Sequence, residues 1–432
     1  MKTKVKGRTD ARRRTAGLVT IIVIVLSLLS MSVLSACAPK SPPTETEPSG
    51  PAVSKVREML LSPDIAGKLT GDVLGVDIDQ KVEPSADLKR YSVVYPNLFD
   101  VAITVIGLAA DEAAFSAEAA KIHEDFQYFH QLFDAFNTYP GMNNIRTINE
   151  SGGAEVRIDP ELGKLLQKGK EYYELTRGGM NIAIGTVTEM WRVALAAAGP
   201  AHPEPATVSP DLLPTAAELR EAAQHIDPGK IRLGADLTTV QLLDPAMRLD
   251  VGALAKGYAV ELVARRAEAR GVTSMLINAG GNVRSIGYRH DNGRPWQVAI
   301  KNPLIAAGTL EPARAADKVA SAGKSSMDDK YLAVLPLIDH AAVTSGVNER
   351  CFKADGRFYH HIIDPQTLQP AQGYLSITVY SSDSGLADAL TTGLFCLDLE
   401  TGMDLIESLQ GIEVVWLLSD RSLRLSSGWS FK

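Results

Sequence analysis

Asp388 and Thr392 stand four residues apart in the segment Ser384-Gly385-Leu386-Ala387-Asp388-Ala389-Leu390-Thr391-Thr392. On a helix both oxygens project from one face, about a turn apart. A carboxylate with a hydroxyl suits a hard cation such as Mg²⁺, which takes few protein ligands and leaves room for substrate phosphates. The competing reading is an aspartate capping a local turn, with a threonine bonded back to a carbonyl. A second candidate is Lys256, within Arg248-Leu249-Asp250-Val251-Gly252-Ala253-Leu254-Ala255-Lys256-Gly257-Tyr258. It sits in an apolar stripe and needs an anionic partner, which a nucleotide phosphate near a helix start supplies. Asp250, with Gly252 behind it, also reads as an ordinary helix cap.

Two further segments combine glycine with polar groups. Asn278-Ala279-Gly280-Gly281-Asn282, directly after a strand, reads either as a plain turn or as a loop whose backbone N–H groups meet a phosphate or flavin. It lacks the G-x-G-x-x-G spacing of a dinucleotide loop, and strands rather than a helix follow it. Thr344-Ser345-Gly346 precedes Arg350 and then Tyr359-His360-His361-Ile362-Ile363-Asp364-Pro365. Two adjacent histidines on one strand point to opposite faces. His361, next to an Asp-Pro turn, is either a general base working near neutral pH or a satisfied structural histidine.

The elements that must position these groups follow from periodicity. Helices are predicted over 55–61, 109–136, 162–176, 216–225, 251–270, 385–397 and 401–410. In the second, Phe126, Phe129, Leu132, Phe133 and Phe136 form one core stripe. Strands are predicted over 92–107, near 231, and over 239–243, 274–278, 296–301, 332–336, 341–344, 358–363, 376–380, 413–418 and 423–426. Residues 137–153, rich in Asn, Gly and Pro, read as a long irregular loop. Strands joined by hairpins as often as by helices make the class α+β.

The chain has 432 residues, 45% hydrophobic and 22% charged, the balance of a globular protein with one large core or two smaller ones. Its first 36 residues carry a net +6, so the remainder holds −13 of the overall −7. An acidic body excludes nucleic acid as the expected partner. The basic start and the uncharged run 15–36 have the n-region and h-region of a secretory signal, and the run is also long enough to span a bilayer. Leu34-Ser35-Ala36-Cys37 resembles a lipobox, so the expectation is a signal peptide over 1–36, an acylated Cys37 and a body anchored outside the cytoplasm. An uncleaved transmembrane anchor is the alternative, and the export route stays open. Residues 37–54, rich in proline, read as a solvated tether, and 55–432 as the catalytic body. Cys351 and Cys396, 45 apart with no CxxC, make neither a zinc site nor a disulfide framework, although an oxidising compartment permits a bridge.

Together and in this order, the four segments resemble the ApbE family of FAD:protein FMN transferases, from about residue 98 to 429. Leu249-Asp250-Val251-Gly252-Ala253-Leu254-Ala255-Lys256-Gly257 is similar to its central signature, and 278–282, 344–346, 361–365 and 387–392 to its other blocks. Asn137-Thr138-Tyr139 through Ile148-Asn149 resembles its flavin-stacking loop. The resemblance implies an ApbE-type, T-fold-like mixed domain with hairpin-rich sheets and packed helices. It implies Mg²⁺ held by Asp388, Thr392 and the carbonyl of Ala253, with His361 and Asp388 catalytic. FAD would be lined by Tyr139, Gly179, Met180, Asn181, Asp250, Lys256 and Ile363. Three places depart from the family pattern: Asn181 where many members have an acid, Asn348 where an aromatic is common, and 98–100 in place of Met-Gly-Thr.

The implied reaction transfers FMN from FAD to a Thr or Ser of an acceptor protein and releases AMP, a phosphoryl transfer in which protein groups position and offset charge. The acceptor would be a flavoprotein of the cell envelope, such as a membrane redox complex subunit or a secreted protein. If water attacks instead, the same site is an FAD pyrophosphatase giving FMN and AMP. A non-catalytic flavin-binding lipoprotein is the reading from a different class.

Overall fold

The alternation that predicts one strand over 92–107 is a hairpin of β1 (Lys89–Leu98) and β2 (Val101–Ala109) in the structure, a computed structural model. Asn97, Phe99 and Asp100 make the turn at φ of 63, 53 and 58°. Left-handed backbone costs a side-chain-bearing residue on the order of 1 kcal/mol. Because none of the three is glycine, the usual glycine signal for such a turn is missing. The structure describes residues 88–199, 205–306 and 330–431. The signal over 1–36, Cys37 with its tether, the helix over 55–61 and the start of the catalytic body all lie outside them.

After the hairpin come α1 (Glu112–Leu132), α2 (Ile145–Asn149), β3 (Val156–Arg157), α3 (Pro160–Leu175), α4 (Gly185–Ala198) and β4 (Ala206–Thr207). Next are α5 (Ala216–Ala222), β5 (Ile231–Leu233), β6 (Thr239–Leu242), α6 (Ala255–Ala269), β7 (Met275–Ala279) and β8 (Asn282–Ile286). Then follow β9 (Trp296–Lys301), α7 (Pro303–Ala306), β10 (Tyr331–Leu337), β11 (Ala341–Gly346), β12 (Cys351–Ala354) and β13 (Arg357–His360). The chain closes with β14 (Tyr374–Ser381), α8 (Ser384–Phe395), α9 (Leu399–Glu407), β15 (Glu413–Leu418) and β16 (Leu423–Leu425).

Eight strands form the main sheet in the order β1-β2-β7-β8-β11-β14-β15-β16, each antiparallel to its neighbours. Smaller sheets pair β10 with β9, join β13-β12-β4 and join β3-β6-β5. The register sets Ile103 opposite Ala279, Ala279 opposite Asn282, and Asn282 opposite Val343. The start of β2, the Gly280–Gly281 turn and the end of β11 therefore share one end of the sheet. The mixture of packed helices and antiparallel sheets is the α+β class that the sequence predicts.

α1 buries Phe126, Phe129 and Leu132, with Phe133 at its C-cap, in one core with Ile103, Leu162, Val260 and Ile277. Each such side chain contributes roughly 1.5–3 kcal/mol on burial. Phe136 departs from the predicted stripe. The helix has ended four residues earlier, so Phe136 leaves that face and is 48% exposed. The predicted irregular loop over 137–153 contains α2, nucleated by a reciprocal capping box between Asn144 and Thr147. α4, which no prediction covers, starts at Gly185 with no side-chain cap. β12 is likewise absent from the predicted strands. The two histidines do not share a strand: β13 ends at His360, so the opposite-faces argument fails. Cys351 and Cys396 are unpaired thiols, both half-buried.

Candidate active site

α8 is capped by Asp383, whose Oδ1 accepts the Leu386 N–H at 2.9 Å. Beyond the cap nearly every residue is buried: Ala387, Asp388, Ala389, Leu390, Thr391, Gly393 and Leu394. A helix packed on nearly every face leaves an acid little contact with water. Asp388 is 5% exposed, and burial raises its carboxyl above the ordinary range, against the pull of Lys256 and of the Gly257 N–H. A buried charge of this kind calls for a cation or a full set of donors.

The start of α6 meets this carboxylate. The Gly257 N–H, which in a regular helix would donate to the Ala253 carbonyl, donates instead to Asp388 Oδ2 at 2.8 Å. No backbone N–H among the described residues takes its place on Ala253. Only glycine fits at 257, since a Cβ there would lie 2.4 Å from both Asp388 Cβ and the Ser384 carbonyl oxygen. The two threonines of α8 then divide the readings left open by spacing. Thr391 is the back-bonder: its hydroxyl donates to the Asp388 carbonyl and accepts from Ser345, both at 2.8 Å. Thr392, one turn on from Asp388, is half-buried and its hydroxyl bonds to no described residue.

Further polar groups act on this carboxylate or on its neighbour Lys256. Asn282 is fully buried, neither end of its amide makes a hydrogen bond of normal geometry, and the amide still acts on Asp388 to favour its charge. Lys256 is half-buried and forms no ion pair among the described residues, yet its charge acts on Asp388, Glu349 and His361. Glu349, exposed as a whole, tucks its Oε1 against the Gly281 turn, 3.9 Å from where a Cβ would stand. Crowding by protein and the Asp388 charge raise its carboxyl. His361 takes its place beside Arg350, whose carbonyl accepts its N–H at 3.1 Å. Its Nδ1 is buried with no partner among the described residues. Burial first, then the charges of His360, Arg350 and Lys256, push its pKa down to about 4. His360 is the satisfied histidine of the pair, 3% exposed with Nε2 bonded to the Ala371 carbonyl at 2.8 Å.

Buried polar atoms are almost always paired, so this concentration of unmet groups marks a place built for a ligand. Among the described residues no three His, Cys, Asp or Glu side chains gather into a metal cage. A carboxylate, a hydroxyl one turn along the same helix and a main-chain carbonyl at the start of the helix that the carboxylate bonds are donors of the kind Mg²⁺ takes.

The other predicted residues form no hydrogen bond to Asp388 among the described residues. Tyr139 donates to Asp134 Oδ2 at 2.7 Å, and burial with that bond pushes its phenol up to about 12. Asp134 also accepts from the backbone of Phe136 and Asn137, which fixes this loop. The Arg192 guanidinium lies 4.6 Å from the Phe136 ring centre and 3.4 Å from Asp250. Asp250 does not cap α6, whose N-cap is Leu254 with no side-chain bond; it holds the turn before the helix, accepting from the Gly252 N–H at 3.0 Å and from Thr188 at 2.7 Å. Gly179 passes so close to α8 that a Cβ would lie 2.7 Å from the Gly393 carbonyl oxygen. Met180 is wholly buried and Ile363 sits in the core of α4, so both pack by their side chains. Asn181 spends its amide on the Ile226 carbonyl and the Ala183 N–H. It also lines a cavity of about 330 Å³ with Tyr173, Ile226 and Pro365, apart from the Asp388 cluster. Asn282 and Glu349 are the members that sequence reasoning missed as site residues. The Asn278–Asn282 block carries the one signal for them, and its glycines point to backbone N–H groups rather than to the Asn282 amide.

The family model described as ApbE family matches residues 99–416. Among the similar proteins is the FAD:protein FMN transferase of Treponema pallidum (strain Nichols), 31% identical over 292 residues, 65% of this chain and 71% of the relative. Another is the FAD:protein FMN transferase of Klebsiella pneumoniae (strain 342), 28% identical over 315 residues, 72% of this chain and 87% of the relative. The fold is shared with the crystal structure of the ApbE protein from Thermotoga maritima, with a TM-score of 0.63 and 23% identity, covering 78% of this chain and 97% of that one. It is shared too with the flavin transferase ApbE from Vibrio cholerae, with a TM-score of 0.60 and 21% identity, covering 79% and 98%.

Proposed function

This chain belongs to the ApbE family, and from that premise we propose that it transfers FMN from FAD to a threonine or serine hydroxyl of another protein, releasing AMP. The observation that carries the reading is the buried Asp388, bonded to the start of α6 and acted on by the Lys256 charge, with the Ala253 carbonyl and the Thr392 hydroxyl unbonded and Lys256 without an ion pair among the described residues. Asp388, Thr392 and Ala253 would hold Mg²⁺, which when bound stabilises charge on phosphate oxygens as a Lewis acid. Lys256 neutralises the pyrophosphate. The acceptor oxygen forms a new bond to the phosphorus of the FMN half as the bridging bond to AMP breaks. His361, neutral because its pKa is low, takes the proton of the attacking hydroxyl. The Tyr139 loop, with Phe136 and Arg192, supplies aromatic surface for a flavin or adenine ring.

Residues 1–36 as a signal and Cys37 as the acylated residue would put the body outside the cytoplasm, on a tether over 37–54, with an envelope flavoprotein as acceptor. That placement is supported by the lipobox-like Leu34-Ser35-Ala36-Cys37. It fails if the mature protein keeps residues 1–36 or carries no acyl group on Cys37, both read by mass spectrometry.

The test is to incubate the protein with FAD, Mg²⁺ and extract of its own envelope. A covalently flavin-labelled band together with AMP is expected. FMN and AMP without a labelled band would make it a pyrophosphatase, and bound FAD without AMP a binding protein.

A further inference from the structure

Arg350 stands at the sheet end that carries the site, in the loop after β11. Its guanidinium binds Asp100 Oδ2 at 3.0 Å, and Asp100 belongs to the turn between β1 and β2. Between these two segments lies the β7–β8 turn. Val101 packs so closely there that a Cβ on Gly280 would stand 2.5 Å from its Cγ1. The ion pair therefore straps the hairpin turn across the Gly280–Gly281 turn to the loop that bears Glu349.

As a stabilising contact this pair is weak. Its partners are 57% and 65% exposed, and solvent screens such pairs almost completely. It does not offset the left-handed backbone at Asn97, Phe99 and Asp100. Strain of this kind collects at ligand clamps, where it is kept because the bound state uses the geometry. Arg350 is also wired to the site: its carbonyl holds the His361 N–H, and its charge acts on both His361 and Glu349. Asp100 is its one hydrogen-bonded side-chain partner among the described residues. An arginine with so exposed a carboxylate exchanges it readily for a phosphate, which its planar fork binds with two parallel bonds.

We propose that Arg350 is a substrate-binding residue whose guanidinium leaves Asp100 and pairs with a pyrophosphate oxygen of FAD, Asp100 holding it extended in the free protein. The inference rests on the reading of this site as an FAD site. Affinities for FAD and for riboflavin, which has the ring and no phosphate, are measured by flavin fluorescence for the wild type, Arg350→Gln, Arg350→Lys and Asp100→Asn. Arg350→Gln should weaken FAD by about tenfold or more, the loss of one charge-assisted pair, and leave riboflavin within about twofold. Arg350→Lys should keep part of the affinity, and Asp100→Asn should tighten FAD by about two- to fivefold because the competing carboxylate is gone. The proposal is overturned if Arg350→Gln leaves FAD affinity unchanged or weakens both ligands alike. It is overturned equally if Asp100→Asn weakens FAD as Arg350→Gln does, the mark of a fixed structural pair. A wild type that binds no FAD removes the function reading as well; one that binds FAD and releases AMP, beside an unaffected Arg350→Gln, removes only this inference.

Discussion

Two buried acids bridge the packed pair α6 and α8, each accepting a backbone N–H of the other helix, and their surroundings have opposite characters. Glu261, 4% exposed at its side chain, meets Arg284 at 3.1 Å, Arg265 at 2.9 Å and the Ser384 N–H at 2.9 Å. Arg265 reaches on to Asp383, and Arg284 to Glu268. Burial would raise Glu261, but these cations and donors outweigh it and hold its carboxyl below the ordinary value. Among the described residues Asp388 bonds the Gly257 N–H and meets no cation within bonding distance, and burial raises its carboxyl. A completed network fixes the helices. An incomplete one of the same depth is tolerated because something else completes it, and that contrast separates scaffold from site without reference to any relative.

The sharpest way to break the comparison is to neutralise each acid. Asp388→Asn keeps an acceptor for Gly257, so the fold should hold its melting temperature while AMP formation falls by about a thousandfold, the several kcal/mol that a lost Lewis acid represents. A mutant with near-normal turnover would remove the metal assignment. Glu261→Ala should do the reverse. It takes from the buried Arg284 its nearer carboxylate and leaves it the more exposed Glu268, at a cost of up to about 3–5 kcal/mol in denaturant unfolding, and the protein that stays folded should still bind FAD. Equal stability losses in the two variants would erase the distinction.

A finer cut separates the adjacent threonines. Thr392→Val should raise the Mg²⁺ concentration for half-maximal activity by about tenfold, in the range of a lost metal-site partner, with little change in stability. Thr391→Val removes two hydrogen bonds and should cost about 1 kcal/mol or more in stability, with the Mg²⁺ requirement unmoved. Reversed outcomes would exchange their roles.

The smallest effect concerns pH. His361 has a folded pKa of about 4 against an ordinary 6.5, so the folded state binds fewer protons than the unfolded chain between those values. The neutral, base-competent ring persists as pH falls, and the acid limb of kcat/KM should lie well below 6.5. Over the same window this histidine subtracts from stability as the medium is acidified. An acid limb at 6.5 would mean that another group limits the rate.

Much of this arrangement was legible in local pattern. The Asp388 to Thr392 spacing, the buried face of α6 and most of the main-sheet strands follow from periods of 3.6 and 2, which a linear sequence displays. The hairpin turn at 97–100 was not, because Asn, Phe and Asp adopt a conformation usually announced by glycine. α4 escaped because no side chain caps its start. In the site, Asn282 and Glu349 arrive by tertiary contact from a strand start and a loop, and nothing in their neighbours foretells that one amide is left unpaired. Met180 and Ile363 sit in segments that resemble ligand-lining turns, but their side chains turn toward the core. Sequence shows which segment approaches a site and is silent about which of its atoms does so.

The diverted Gly257 amide has an evolutionary corollary. An oxygen donated by the peptide unit of residue 253 belongs to the backbone, so drift in that side chain cannot delete it, and position 253 should accept varied replacements. Position 257 inherits the opposite fate: its methylene gap sets the spacing of two helices, and even one added methyl would prise them apart. Tolerance to substitution along this turn should thus rise and fall within four residues, permissive at the donor and forbidding at the spacer.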